Sequence, residues 1–306
     1  MGIEIPSDPA PDGYIPNPYQ DKIDAALVYL RAEKEGGEGW ENIDTKDGII
    51  LEKKYVPGDS SAIPIVRGHG LVKSISAPSL LSAILQPSAR HLWDARFESG
   101  ALLERYGRKT YKFYSVQKGV GWIVSERDIV GVQHVQEGEN GAFEVIQTSV
   151  DGPPGDKGRV RATLTAGWSA VPRGDDLEVS YVVKINPNGS IPSAIVGKIV
   201  QDIPLSVVNI ANFIREKGVP PYIANKELNS QLRVEHISIE EKKHVAKLIA
   251  GDKEEDVTFV VDPKVFGGNW KVDVNGNGVS AEKSGDNAVV KVPGGSGRYD
   301  VTISAA

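Results

Sequence analysis

PSAIVGKIVQDIPLSVVNIANFIREK, residues 192–217, is the stretch that decides the fold. Within it Val196, Val200, Ile203, Val207, Ile210 and Ile214 recur at steps of four and three residues. Ile195, Ile199, Ala211 and Phe213 widen that stripe, while Lys198, Asp202, Asn209, Asn212 and Glu216 line the far side. The spacing predicts one helix, roughly 39 Å long at ~1.5 Å per residue, apolar over more than half its girth. Pro204 stands in its middle and should kink it, because proline removes an amide hydrogen and crowds the preceding turn. Such a helix closes a sheet. Periodicity alone leaves open whether its apolar side meets packed side chains or walls a hollow.

Immediately upstream lie the elements it would close. Runs near 97–105, 109–117, 127–136, 142–149, 158–171 and 177–186 are separated by Gly, Pro, Asn and Asp turns, as in a meander of antiparallel strands forming one curved sheet. Further back, Ile23, Ala26, Leu27 and Leu30 make a helical stripe that stops at Gly36-Gly37, and 40–73 reads as two or three strands. Ser76 caps a helix that tolerates Pro78 in its first turn and runs to Leu85; a short helical piece follows Pro87. Downstream, 218–225 carries Gly218, Pro220 and Pro221 and reads as a linker. Strand-like runs at 232–239, 257–262, 270–274, 288–292 and 299–303 then suggest a small β-sandwich of about 80 residues. The expected order is a Pro-rich segment 1–19, an α+β domain 20–224 and a β-rich domain 225–306.

Composition narrows the function classes. Across 306 residues, 35 Lys+Arg against 41 Asp+Glu give a net charge of −6, which opposes nucleic-acid binding. The absence of cysteine excludes disulfides, thiolate metal sites and cysteine nucleophiles. No apolar run is long enough to span a bilayer and the N-terminal residues show no signal-peptide core, so a cytoplasmic location is expected. There is no G-x-S-x-G, H-E-x-x-H or P-loop, so no enzyme and no cofactor is expected. His236, Glu240 and His244 would form a metal trio only on a helix, and 232–239 reads as a strand, so no metal is expected either. Asp273-Val-Asn275-Gly-Asn277-Gly278 matches half a calcium loop, but Ser284 replaces the closing Glu; the Asn-Gly steps read as a hairpin turn. Glu98, Lys112, Lys118, Arg127, Asp128 and Arg161, spread along strands, read as a solvated face.

Four motifs occur in order: Trp93-Asp94; Val124-Ser125-Glu126-Arg127-Asp128-Ile129-Val130; Pro153-Pro154 ahead of Gly158-Arg159-Val160-Arg161-Ala162; and Asn186-Pro187-Asn188-Gly189-Ser190-Ile191-Pro192. Together they resemble the steroidogenic acute regulatory-related lipid transfer (START) family over about residues 20–224. The resemblance implies a helix-grip fold, a curved antiparallel sheet around a long C-terminal helix, enclosing an apolar tunnel for one lipid: a sterol, a phospholipid or another apolar molecule. Sterol-binding members place an acidic residue and an arginine in the tunnel. Those positions fall here on Ser115 (Tyr114 without a gap) and Gln133, so neither charge is present. With Ser115 inward, alternation puts Tyr111 and Phe113 beside it and turns Lys112 outward. The expected lining is Tyr111, Phe113, Ser115, Ile129 and Gln133 from strands, with Ile195, Val196, Ile199, Val200, Ile203, Val207 and Ile210 from the helix. An uncharged lining suits a hydroxyl or ester. The loop 151–158, with Pro153 and Pro154, would be the gate, and Trp122 either packs in the core or touches a bilayer. The expected partners are a lipid and, transiently, a membrane surface; any partner of the C-terminal domain is unspecified. Two rival readings stand beside this one: a helix-grip cyclase or hydrolase acting on a bulky apolar substrate, and a lipid-gated protein-interaction module.

Overall fold

The computed structural model describes residues 14–58, 63–121, 123–152, 158–225, 228, 231–238 and 242–306. The apolar stripe at the start becomes α1 (Gln20–Glu35), which buries Ile23, Ala26 and Leu30 and ends at Gly36. There follow β1 (Trp40–Lys46), β2 (Ile49–Lys54), β3 (Ile65–Val72), α2 (Ala77–Leu85), α3 (Pro87–Arg90), β4 (Phe97–Arg105), β5 (Thr110–Gln117), β6 (Arg127–Glu137), β7 (Phe143–Ser149), β8 (Val160–Arg161), β9 (Thr163–Arg173) and β10 (Asp176–Asn186). The strands form one sheet in the order β1-β2-β3-β10-β9-β7-β6-β5-β4, antiparallel throughout, with β8 added parallel to β6. The chain divides into two compact units, Met1–Ala77 with His91–Asn212, and Pro78–Arg90 with Phe213–Ala306.

The two faces of the sheet are covered differently. On the outer face Ala26 and Leu30 pack with Ile65, Ile146 and Val182, and Ile23 packs with Tyr114, Val116, Val130 and Val132. α1 lies close along β7, β9 and β10, and Gly167 makes room for it: a Cβ there would sit 2.7 Å from Leu30 Cδ1. The inner face belongs to the long apolar run. That run is not one bent rod but two helices, α4 (Ser193–Asp202) and α5 (Ser206–Lys217), 49° apart across a break at Pro204. Proline cannot supply the missing amide hydrogen, so the helix stops and restarts. The break touches the sheet at Gly68 of β3, where an added Cβ would lie 2.3 Å from the Pro204 carbonyl oxygen. No single helix is long and apolar enough to cross a membrane; the bent pair passes on length and composition, but Ile199, Val200, Val207 and Ile210 are buried in protein.

The second unit contains β11 (Tyr222–Ile223), β12 (Gln231–Ser238), β13 (Lys243–Ile249), β14 (Glu255–Val260), β15 (Trp270–Asn275), β16 (Ser280–Ser284), β17 (Asn287–Val292) and β18 (Arg298–Ala305). They build two four-stranded sheets, β11-β14-β17-β16 and β12-β13-β18-β15, around a shared core that includes Leu248, Phe259, Phe266, Trp270, Val290 and Ile303. The hairpin expected at 273–278 is not one. β15 pairs with β18 and β16 with β17, so the Asn-Gly steps carry the chain from one sheet to the other. Gly276, at φ 142, is required there because a Cβ would lie 2.4 Å from the Tyr299 ring. His236 lies on a strand as expected and Glu240 falls outside the described residues; among those described, no group of His, Asp and Glu could hold a metal.

The Pro204 touchdown predicts an ordering of two variants. Gly68→Ala meets rigid backbone and should cost about 1–3 kcal/mol, whereas Gly167→Ala meets the movable end of Leu30 and should cost less. Urea unfolding of both proteins checks this, and the reverse order would contradict it.

Candidate functional site

Strand register assembles the inner face. Gly68 pairs with Tyr181, Tyr181 with Trp168, and Trp168 with Val145, so these share the side on which Pro204 lands. One residue pair along, Ala166 faces Gln147, Gln147 faces Gln133, and Gln133 faces Tyr111. Tyr181 and Trp168 stack with ring centroids 4.0 Å apart, and Trp93 meets Trp168 edge-on at 6.0 Å. Phe113 and Ile129 are buried with Ala162, alongside the half-buried Tyr111, Leu164 and Ile185. A short neutral chain crosses this apolar face: Gln147 Nε2 donates to Gln133 Oε1 at 2.6 Å, and Gln133 Nε2 donates to the Tyr111 hydroxyl.

The structure therefore brings Tyr111, Phe113, Ser115, Ile129 and Gln133 onto one face. On the helices, Ile199, Val200, Val207 and Ile210 are buried, and Ile195, Val196 and Ile203 half-buried. Val196 and Val200 line a cleft of about 680 Å³ between α4 and β1–β2, together with Ile43, Lys53 and Tyr55. Pro153, Pro154 and Trp122 lie outside the described residues.

Three charged residues expected on a solvated face are buried instead. Lys112 is 8% exposed: its Nζ sits over the Tyr19 ring and is 3.2 Å from Oε1 of Glu104 on the neighbouring strand β4. Asp128 is 1% exposed on the same outer face. Its carboxylate accepts from Arg161 Nε at 2.8 Å, from Arg161 Nη2 at 3.1 Å and from the Tyr114 hydroxyl at 3.1 Å. Burial alone would raise its pKa, but Arg161, Tyr114 and the nearby Arg159 charge together hold it below the usual carboxylate range.

Arg127 is the residue that sequence reasoning missed. It pairs with Gln117 and so points inward, like Ile129, and it is 7% exposed. Among the described residues its guanidinium donates to backbone carbonyls: Ser125 at 2.6 Å, Asn188 at 3.1 Å and Pro187 at 3.2 Å. Alternation counted back from Ile129 could have found it. Arg96 lies at the same end of the sheet, where its carbonyl accepts from the Lys118 amide at 2.7 Å, next to the Phe97–Gln117–Arg127 row. Burial pushes the Arg96 pKa down, partly offset by Asp202 and Asp94; burial and the Arg96 charge push that of Arg127 down.

Comparison with known proteins agrees with this geometry. The START domain profile matches residues 20–211. An uncharacterized protein of Pseudomonas aeruginosa is 27% identical over 199 residues, spanning 63% of this chain and 95% of its own length. A STAR-related lipid transfer protein of Xanthomonas axonopodis superposes with a TM-score of 0.51 at 25% identity, over 58% of this chain and 99% of that one. Human StAR-related lipid transfer protein 5 is similar in fold, with a TM-score of 0.58 at 15% identity over 64% of this chain and 95% of that one.

The Asp128 cluster yields a signed prediction. Asp128→Asn should destabilise the protein by about 3 kcal/mol at neutral pH, since it strips the partner from a buried arginine contact. Because the folded carboxyl is held low, its contribution is complete above the unfolded value of about 4 and disappears as pH falls through the folded value. Urea unfolding at successively lower pH should show the wild-type advantage shrinking; an advantage independent of pH would contradict the assignment.

Proposed function

The chain belongs to the START domain family, and from that premise we propose that its first unit carries one lipid molecule between the inner face of the sheet and the α4–α5 pair, without covalent chemistry. The observation that carries the reading is the half-buried state of Tyr111, Leu164 and Ile185 on the very face the helices cover. In a filled core such side chains would be closed off. The half-buried Ile195, Val196 and Ile203 support the same hollow from the helix side.

Energetics favour exchange over permanent capture. Burying roughly 400 Å² of lipid surface at about 25 cal/mol/Å² contributes on the order of 10 kcal/mol relative to water. A bilayer already keeps that surface dry, so the net preference of the lipid for the protein is a small difference, and release to a second membrane is feasible. The neutral Tyr111–Gln133–Gln147 chain offers hydrogen bonds to an ester or hydroxyl of the guest. Membrane contact is made by the β5–β6 connection, whose Val120 and Ile123 are 37% and 54% exposed.

Organic extraction of the purified protein followed by mass spectrometry should recover about one lipid per chain, a stoichiometry set by a single hollow. Leu164→Trp, which fills the space beneath α4, should lower that yield several-fold while the melting temperature changes little. An empty extract, together with no transfer of any lipid class between vesicles, would sink the carrier reading; a chemically altered lipid among the products would favour the enzyme alternative. Ile123→Asp should slow vesicle-to-vesicle transfer several-fold and leave the bound lipid in place. Equal loss of binding and transfer would remove the β5–β6 connection from the membrane step.

A further inference from the structure

We propose that Arg96 and Arg127 form the receiving site for an anionic oxygen headgroup, phosphate or carboxylate, so that this protein selects lipids bearing a net negative charge. The inference rests on the carrier reading and names the ligand class for that same site.

Arg127 is buried on the inner face, and its three bonded partners are backbone carbonyls; no carboxylate neutralises it among the described residues. A guanidinium has five N–H donors, so two remain for a ligand. Arg96 is half-buried, and among the described residues its guanidinium has no hydrogen-bond acceptor at all. Asp202, the last residue of α4, and Asp94 lie near enough to attract Arg96, while its charge is felt at Arg127 as repulsion. A buried Arg127 with two unused donors, repelled by a neighbouring half-buried Arg96, is costly. An anion between them relieves both the repulsion and the unmet donors, and a planar guanidinium suits a two-oxygen acceptor.

The test uses delipidated full-length protein equilibrated with phosphatidylcholine vesicles doped with one of three lipids of matched tails: phosphatidic acid, a free fatty acid, or diacylglycerol. Protein is separated from vesicles and its bound lipid counted by mass spectrometry. Wild type should take phosphatidic acid, the fatty acid, or both, over diacylglycerol, and the two charged lipids separate phosphate from carboxylate recognition. Arg96→Gln should lower the charged-to-neutral ratio on the order of tenfold, the scale of a lost charge-assisted hydrogen bond, and Arg96→Lys should retain most of it. Melting curves establish that each variant is folded; Arg127, tied to three carbonyls, is left intact for that reason. Uptake of diacylglycerol as readily as the charged lipids, or a ratio indifferent to Arg96→Gln, would overturn the proposal while leaving the carrier reading standing. Failure to take up any lipid would overturn both.

Discussion

Pro204 against Gly68 is the constraint from which the first unit takes its form. An uninterrupted helix of the same composition could settle its whole length on the inner face, as α1 does on the outer one. Proline forbids this by ending the hydrogen-bond ladder, and glycine fixes where the break comes down by leaving room for a carbonyl oxygen where any other residue would place a Cβ. The C-terminal end of α4 is thereby brought down onto β3. The absence of a single side-chain carbon on β3 is what lets that contact form.

The two faces also differ in how they treat charge. Outer-face charges are matched: Asp128 with Arg161, Glu126 with Arg159, Glu52 with both Arg67 and His69. These pairs lock β2 to β3 and β6 to the segment 159–161. The inner face carries the neutral Tyr111–Gln133–Gln147 chain, the Lys53–Glu41 pair at its β1–β2 edge and, at the other end, Arg127, whose bonded partners among the described residues are backbone carbonyls. A buried arginine held by carbonyls rather than by a carboxylate sets that end of the inner face apart from the ion-paired outer one.

Much of this was legible in the sequence because period-two alternation and period-3.6 stripes are local. The strands β4 to β7 and β10 follow from alternation and turn residues and a kink from Pro204, though not the full break into two helices, while the inward set Tyr111, Phe113, Ser115 and Gln133 follows from the family resemblance together with alternation. What escaped depended on distant neighbours. Lys112 looks solvated until Tyr19 meets it and Glu104 of the adjacent strand pairs with it. The Asn-Gly steps at 275–278 look like a hairpin until Ser280–Ser284 pairs elsewhere. Arg127 looks like a surface arginine until the carbonyls of Ser125, Pro187 and Asn188 converge on it, and two of those come from a segment about sixty residues away.

Selectivity in such a carrier has to come from polar groups. Moving an acyl chain from bilayer to protein exchanges one dry environment for another, so its apolar area contributes almost equally to every candidate lipid and cannot distinguish among them. A headgroup is different, because it leaves water on entering the protein and its desolvation is recovered only if donors of the right charge are waiting. Arg127, buried and bonded to carbonyls alone among the described residues, has already lost its own hydration during folding, so in the proposed site the anion meets a donor whose desolvation is already complete. A neutral or cationic headgroup gains nothing comparable and leaves both guanidinium groups as they were. In the proposed carrier, discrimination by charge would therefore follow from Arg127, whose bonded partners among the described residues are backbone carbonyls and no carboxylate.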